Sequence, residues 1–186
     1  MNTLGLLVLG VSAIGIATEW LTQPKQRDQL DIPKGDWLTV LLGVLPSFGV
    51  LAINLQCWIR RPIEPHWGLT AVGLLLCAGC ILFRGWGKHT LGYYYTFAID
   101  IRNNHTVINH GPYRLVRHPL YLGALLGIIG FPLLAQSWFS VFVLSIPVGF
   151  VYGLRLFLEE KFLFESLGQP YRAYADRTAR LIPFVW

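Results

Sequence analysis

Charge is what this chain most lacks. Of its 186 residues, 13% are Asp, Glu, Lys or Arg, against 54% hydrophobic. A soluble domain carries roughly a quarter charged residues. So few charges cannot cover a globule, and the solvent expected is lipid. Cysteine is scarce as well, at three residues. Cys77 and Cys80 form a C-x-x-C, but no two further ligands complete a zinc site. The pair reads as small residues on a packed helix, with Ala78 and Gly79 between them. There is no internal repeat and no low-complexity tract. The first apolar run has no basic segment before it and is followed by further apolar runs, which argues against a cleaved export signal.

What is present is a series of long apolar runs. A membrane-spanning helix needs about 20 mostly apolar residues. Thr3–Leu21, Trp37–Ile59 and Trp67–Phe83 qualify. Pro119–Glu160 is too long for one span, and Gln136-Ser137 offers a turn, giving helices over about 119–134 and 138–160. The expected fold is an all-α integral membrane protein of about five transmembrane helices. An irregular polar segment joins helices three and four, and a short helical tail follows helix five. The whole chain, 1–186, reads as one membrane domain. Residues 1–84 form an N-terminal three-helix part, and residues 85–186 a second part.

The net charge of +5 suggests nucleic acid until the basic residues are located. Lys25, Arg27 and Lys34 lie in the first loop, and Arg84, Lys88, Arg102, Arg114 and Arg117 between spans three and four. Lys161, Arg172, Arg177 and Arg180 follow span five, whereas the second loop has Arg60 and Arg61 and the fourth none. With the N-terminus outside, the basic loops face the cytoplasm, as the positive-inside rule requires. The charge needs no polyanion, so neither nucleic acid nor a metal is expected as partner. The expected location is multi-pass in the plasma or inner membrane of a prokaryote, or in the endoplasmic reticulum of a eukaryote, with the site facing the cytoplasm.

Polar groups at membrane depth are expensive and point to function. The stretch RGWGKHTLGYYYTF, from Arg84 to Phe97, carries rings suited to the headgroup region. An irregular segment over 97–117 follows, then Pro119 in the first turn of span four, where its missing N–H costs nothing. Arg155 and Glu159, four apart, share a helix face, while Glu160 points about a hundred degrees away. A plain ion pair would account for Arg155 and Glu159, and a solvated helix end for His118. Spans four and five are antiparallel, however, so Arg117, His118, Tyr121, Arg155, Glu159 and Glu160 converge at one mouth. His66, His89 and His110 are read as ordinary surface residues. A mouth with both charge signs, aromatic walls and access from the bilayer suits a reaction between a soluble cosubstrate and a lipid.

GPYRLVRHPLYLG at 111–123, the glutamate pair 159–160 and FESLGQPYRAYADRTARLIPFVW at the C-terminus resemble the isoprenylcysteine carboxyl methyltransferase family of integral membrane enzymes. The family pattern is G-x-Y-x-x-x-R-H-P-x-Y-x-G, a hydrophobic stretch, paired glutamates, G-x-x-Y-x-x-Y and L-I-P. The resemblance covers about 97–186, and five spans match prokaryotic members. The broader superfamily includes phospholipid methyltransferases and, more distantly, sterol reductases.

The resemblance implies S-adenosylmethionine as methyl donor. It makes 85–186 the cofactor-binding and catalytic part, with the segment between helices three and four binding the cofactor. It places His105, Val107, Ile108, Tyr113, His118, Pro119, Leu120, Tyr121 and Glu159 at the cofactor, and Arg155 on the substrate. His105-Thr106-Val107-Ile108 matches an H-x-L-V-like segment that lies eight residues before the tyrosine of the family pattern. A glutamine of some members is missing, with Asp100 its nearest candidate. The implied activity is methylation of the carboxylate of an isoprenylated cysteine or similar lipophilic acid, entering from the bilayer among membrane lipids. Methylation of a phospholipid or other small molecule is the alternative, and a non-catalytic scaffold or transporter subunit the alternative of another class. A carboxylate is already ionised at pH 7 and needs no base. Arg155 would anchor it and Glu159 would hold the cofactor. An amine acceptor would need a base, for which Glu160 is the candidate.

Overall fold

The computed structural model describes residues 3–22, 37–60, 65–96 and 106–182. Apart from one isolated bridge between Val116 and Ala179, the described secondary structure is helical. Helix α1 is Thr3–Leu21, α2 Trp37–Arg60, α3 Trp67–Leu91 and α4 Pro119–Leu134. After the turn come α5, Trp138–Ser140, a π turn over Val141–Ser145, α6 Ile146–Leu167 and α7 Gln169–Ala175. Right-handed helical backbone at the junctions makes α5, the π turn and α6 one continuous rod.

The expected helices are therefore present, with one notable difference. α3 runs eight residues past Phe83, so Arg84 and Lys88 belong to a helix rather than to a loop. The reason is electrostatic. Both cations, one turn apart, bond to Glu19 at the end of α1, which satisfies them without leaving the helix. The chain then turns at Gly92, whose φ of +50° suits glycine. The boundary expected at 84–85 falls inside α3.

α4 opens with Pro119 and closes at Gln136, in a left-handed conformation with φ of 54°. The Gln136 side chain donates to Thr70 at 2.8 Å, and Ser137 accepts from the Ser140 N–H at 3.3 Å to start the next rod. These bonds pin the end of the bundle away from the candidate mouth. The Gln136-Ser137 turn is where the sequence suggested it.

α3 and α4 meet along a stripe of small residues. A Cβ on Gly73 would lie 2.3 Å from the Leu134 nitrogen, and one on Gly127 would lie 2.8 Å from the Cys80 sulfur. Such stripes let backbones approach where lipid removes the hydrophobic drive between helices. Cys77 is buried and Cys80 half-buried in this seam, both as free thiols. Asn54 of α2 donates to Ser12 of α1 at 3.0 Å, adding a polar tie.

The outer surface is apolar. Ile14, Phe48, Leu51, Leu75, Leu82 and Phe150 all point outward and are more than half exposed. Thr3–Leu21 and the continuous stretch Trp67–Tyr94 are long and apolar enough to cross a membrane, and Val44–Cys57 and Pro119–Leu134 are shorter apolar helices. The chain alternates direction. The ends of α1, α3 and α6 and the start of α4 gather at one mouth, where α7 lies.

Candidate functional site

The run 111–123 builds this mouth, one residue at a time. Gly111 sits at φ of +60°, and a Cβ there would meet the Thr90 hydroxyl at 2.7 Å, so only glycine lets the loop press onto α3. Pro112 and Tyr113 are buried in a single 3₁₀ turn, Gly111–Arg114. Val116 is wholly buried and bridges Ala179. The backbone N–H groups of Arg117 and His118 then donate to the carbonyls of Ala179 and Arg180, at 2.8 and 3.2 Å. The C-terminal tail thus lies alongside the motif as a short ribbon.

Arg117 fastens this ribbon. Its guanidinium donates to the carbonyls of Ala175 and Thr178, at 2.6 and 2.5 Å, and to Glu160 at 3.1 Å. Glu160 also receives Arg180 at 2.7 Å, and the His118 ring nitrogen stands 3.7 Å away. Buried and paired with two arginines, Glu160 is held in its ionised form and is a poor proton acceptor. The role of base considered for it is therefore corrected: Glu160 is the anchor of the C-terminal tail.

Glu159, one residue earlier, faces a different environment. It accepts the Tyr121 hydroxyl and lines a cavity of about 200 Å³. Arg155, one turn back on α6, is buried in the same wall beside Tyr121. The His118 and Tyr121 rings meet edge to face at 5.7 Å, and Tyr121 meets Tyr152 likewise at 5.9 Å. The Tyr174 hydroxyl donates to the Tyr113 carbonyl at 2.6 Å, tying α7 to the cavity wall. Burial pushes the phenols of Tyr113, Tyr171 and Tyr174 above their ordinary value. They stay neutral and serve as hydrogen-bonding groups, not bases.

Most of the expected site residues come together here. Val107, Ile108, Tyr113, His118, Leu120, Tyr121, Arg155 and Glu159 all line the cavity. Pro119 does not: it is fully buried behind the wall, close to Gly87, because the first turn of α4 packs onto α3 at that point. His105 and Asp100 lie outside the described residues. The sequence reading missed Arg84, Tyr95, Tyr152 and the α7 pair Tyr171 and Tyr174 as cavity residues. A signal existed for three of these. Tyr152 lies three before Arg155 on one helix face, and Tyr171 lies three before Tyr174. Arg84 and Tyr95 were hidden because an aromatic belt explained their stretch equally well.

A second, larger cavity of about 510 Å³ adjoins the first. It runs among α1, α2, α3, α4 and α6 and is mostly apolar, with Leu45, Ile53, Ile81, Ile128, Phe131 and Val148 in its walls. Leu42, Arg84 and Tyr152 line both cavities and mark the junction.

Residues 69–170, more than half of the chain, match the phospholipid methyltransferase family. The chain belongs to that family. Among its relatives is protein-S-isoprenylcysteine O-methyltransferase A of Arabidopsis thaliana, 30% identical over 66% of this chain and 64% of the relative. The cobalt-zinc-cadmium resistance protein CzcN of Cupriavidus metallidurans is 35% identical over 80% of this chain and 62% of its own length. The fold is that of a eukaryotic intramembrane Ras methyltransferase, isoprenylcysteine carboxyl methyltransferase. That match has a TM-score of 0.60 at 21% identity and covers 90% of this chain and 60% of the other. The chain thus spans just under two thirds of the length of these relatives. Within the phospholipid methyltransferase family, the matched segment holds the motif loop, α4 and the glutamate pair, which are the parts that build the smaller cavity.

Proposed function

We propose that this chain transfers a methyl group from S-adenosylmethionine to the carboxylate of an isoprenylated cysteine or a similar lipophilic acid. The observation that carries the proposal is the pair of adjoining cavities: a smaller one beside the motif loop, where charged and phenolic groups interrupt an apolar wall, and a larger, more apolar one among the helices. In this reading five helical spans cross the membrane and the smaller cavity opens to the cytoplasm. The soluble donor occupies the smaller cavity, and the acceptor's chain reaches it through the larger one.

The smaller cavity offers groups that fit the donor. Glu159 suits the donor's ammonium group or its ribose hydroxyls. The rings of Tyr121 and Tyr152 suit a sulfonium, which ring faces attract as they do other cations. Val107, Ile108 and Leu163 supply an apolar side for an adenine ring. Bound there, S-adenosylmethionine supplies an electrophilic methyl group. The work left to the chain is to hold, orient and dry. Arg155 anchors the acceptor's carboxylate through a planar two-pronged donor. The packed tail keeps water from the motif side. Alignment of this kind lowers a barrier by several kcal/mol, up to roughly 7–11 in the best models.

An amine acceptor needs a group to take its proton. Glu160 is paired with Arg117 and Arg180, and Glu159 is the group assigned to the donor. The geometry therefore favours an acceptor that arrives already ionised. The test is methyl transfer from labelled S-adenosylmethionine to farnesylated N-acetylcysteine, with purified protein in detergent and Arg155→Ala alongside. Base-labile label that falls at least tenfold in the variant is the expected result, corresponding to about 1.4 kcal/mol or more of lost interaction. No label and no donor binding by folded protein would sink the proposal.

A further inference from the structure

Arg84 stands where the two cavities meet, yet the reaction as described does not use it. Its Nε donates to Glu19 at 2.5 Å, and Lys88 bonds to the other oxygen of the same carboxylate. Lys88 is almost completely buried, its side chain 1% exposed, and its ammonium also stands 5.4 Å from the centre of the Tyr95 ring. Among the described residues two cations share one carboxylate, so that cluster carries one more cation than anion. Glu19 is the acid that acts on Arg84 among the described residues; its other electrostatic neighbours include the Tyr152 phenol and the Cys80 thiol. Arg84 is partly open to the cavities, and an unbalanced charge at membrane depth is costly unless an anion meets it.

The position says which anion. Arg84 lines both cavities, whereas Arg155 lines only the smaller. Tyr152 sits between them, within the electrostatic reach of both. Glu19 grips Arg84 through Nε, which orients the guanidinium; among the described residues the rest of its fork is the part that can meet a ligand. On one side of Arg84 is the chamber that holds Arg155, Glu159 and the phenols, on the other a larger and more apolar one. A group that satisfies both must carry negative charge at one end and a long apolar chain at the other.

Resting on the function proposed above, we infer that Arg84, positioned by Glu19 and supported by Lys88, is a second anchor for the acceptor's carboxylate, with the apolar chain lying in the larger cavity. The two arginines then flank one head, Arg155 from the donor's side and Arg84 from the chain's side. This divides specificity. Arg84 selects acidic amphiphiles over neutral ones before chemistry begins, and the walls of the larger cavity accept or reject the chain.

The test separates binding from turnover. Affinities of farnesylthioacetic acid and of its neutral amide are measured by calorimetry on the full chain in detergent micelles, together with the affinity for S-adenosylmethionine. Wild type binds the acid about tenfold or more tightly than the amide, as a charge-assisted bond requires. Arg84→Gln loses most of that preference, Arg155 holding the remainder, while keeping its donor affinity, and Arg84→Lys, which keeps the charge, restores part of it. An undiminished preference in Arg84→Gln, or equal binding of acid and amide by wild type, would overturn the inference. Arg155→Gln keeps the question decidable should Arg84→Gln not fold: the preference survives there in part, and its complete loss would assign the head to Arg155 alone. The two readings fail separately. Methyl transfer with the preference untouched in Arg84→Gln removes this anchor and leaves the enzyme. A preference lost in Arg84→Gln without methyl transfer by wild type keeps the acid site and removes the proposed reaction.

Discussion

Glu159 and Glu160 are neighbours in sequence and belong to different machines. Glu160 is buried among Arg117, Arg180 and His118, and its bonds hold the C-terminal tail against the motif loop. Glu159 looks the other way, into the cavity, with the Tyr121 hydroxyl as its bonded partner. One helix step of about a hundred degrees separates a fastening from a working surface. A pair of acids in a motif need not share one task. What distinguishes them is how many donors already claim each carboxylate.

That contrast is sharpest in the variant expected to cost most. Glu160→Gln leaves two arginines without their carboxylate. Removing one partner of a buried pair costs about 3–5 kcal/mol, and Arg180, about a quarter exposed, brings the value toward the lower end. Thermal unfolding in detergent should show the loss, and trypsin should cut the released tail at Arg177 or Arg180. A tail that stays protected would mean that Glu160 does not fasten it. Glu159→Gln should do the reverse. Its unfolding stays close to wild type, while donor affinity falls roughly 10- to 100-fold, the worth of about 1.5–3 kcal/mol for a hydrogen bond to a charged group. Calorimetry with S-adenosylmethionine reads this directly. Equal destabilisation by both variants would erase the distinction.

The helices were legible in the sequence because hydrophobic length and turn residues are local properties. Thr3–Leu21 and Pro119–Leu134 have the bounds that composition alone suggested. The mouth was legible because an antiparallel pair brings the start of α4 to the end of α6. What escaped was set by contacts between distant segments. Arg84 looked like a loop cation because its partner, Glu19, lies 65 positions away. Glu160 looked like a candidate base because Arg180 follows in a tail with no periodicity to show where it docks. Pro119 carries a motif position but packs against α3, so spacing alone could not tell a wall residue from the support behind it.

A milder change probes how the fastening works. Arg117→Lys keeps the charge beside Glu160 but removes the planar fork that reaches Ala175, Thr178 and Glu160 together. Leaving one or two tail carbonyls without a donor should cost about 1–2 kcal/mol. Glu160→Gln exceeds this if charge dominates the clamp. If the two variants cost the same, the backbone bonds do most of the holding.

The smallest change tests whether fastening and working surface communicate. Tyr174 belongs to the tail, but its hydroxyl donates to the carbonyl of Tyr113, whose ring lines the cavity. Tyr174→Phe removes that one bond and little else, at about 0.5–1.5 kcal/mol. Because the phenol is neutral across the working range, the effect should not depend on pH between 6 and 9. If the tail merely covers the loop, stability falls slightly and donor affinity is unchanged. If the tail sets the position of Tyr113, donor affinity falls severalfold at nearly constant stability. The second outcome is expected, because Tyr113 sits in a single 3₁₀ turn whose own backbone bonds are few. Such a turn takes its position from what packs and bonds against it. The tail is then part of the site even though its helix contributes only rings and a hydroxyl.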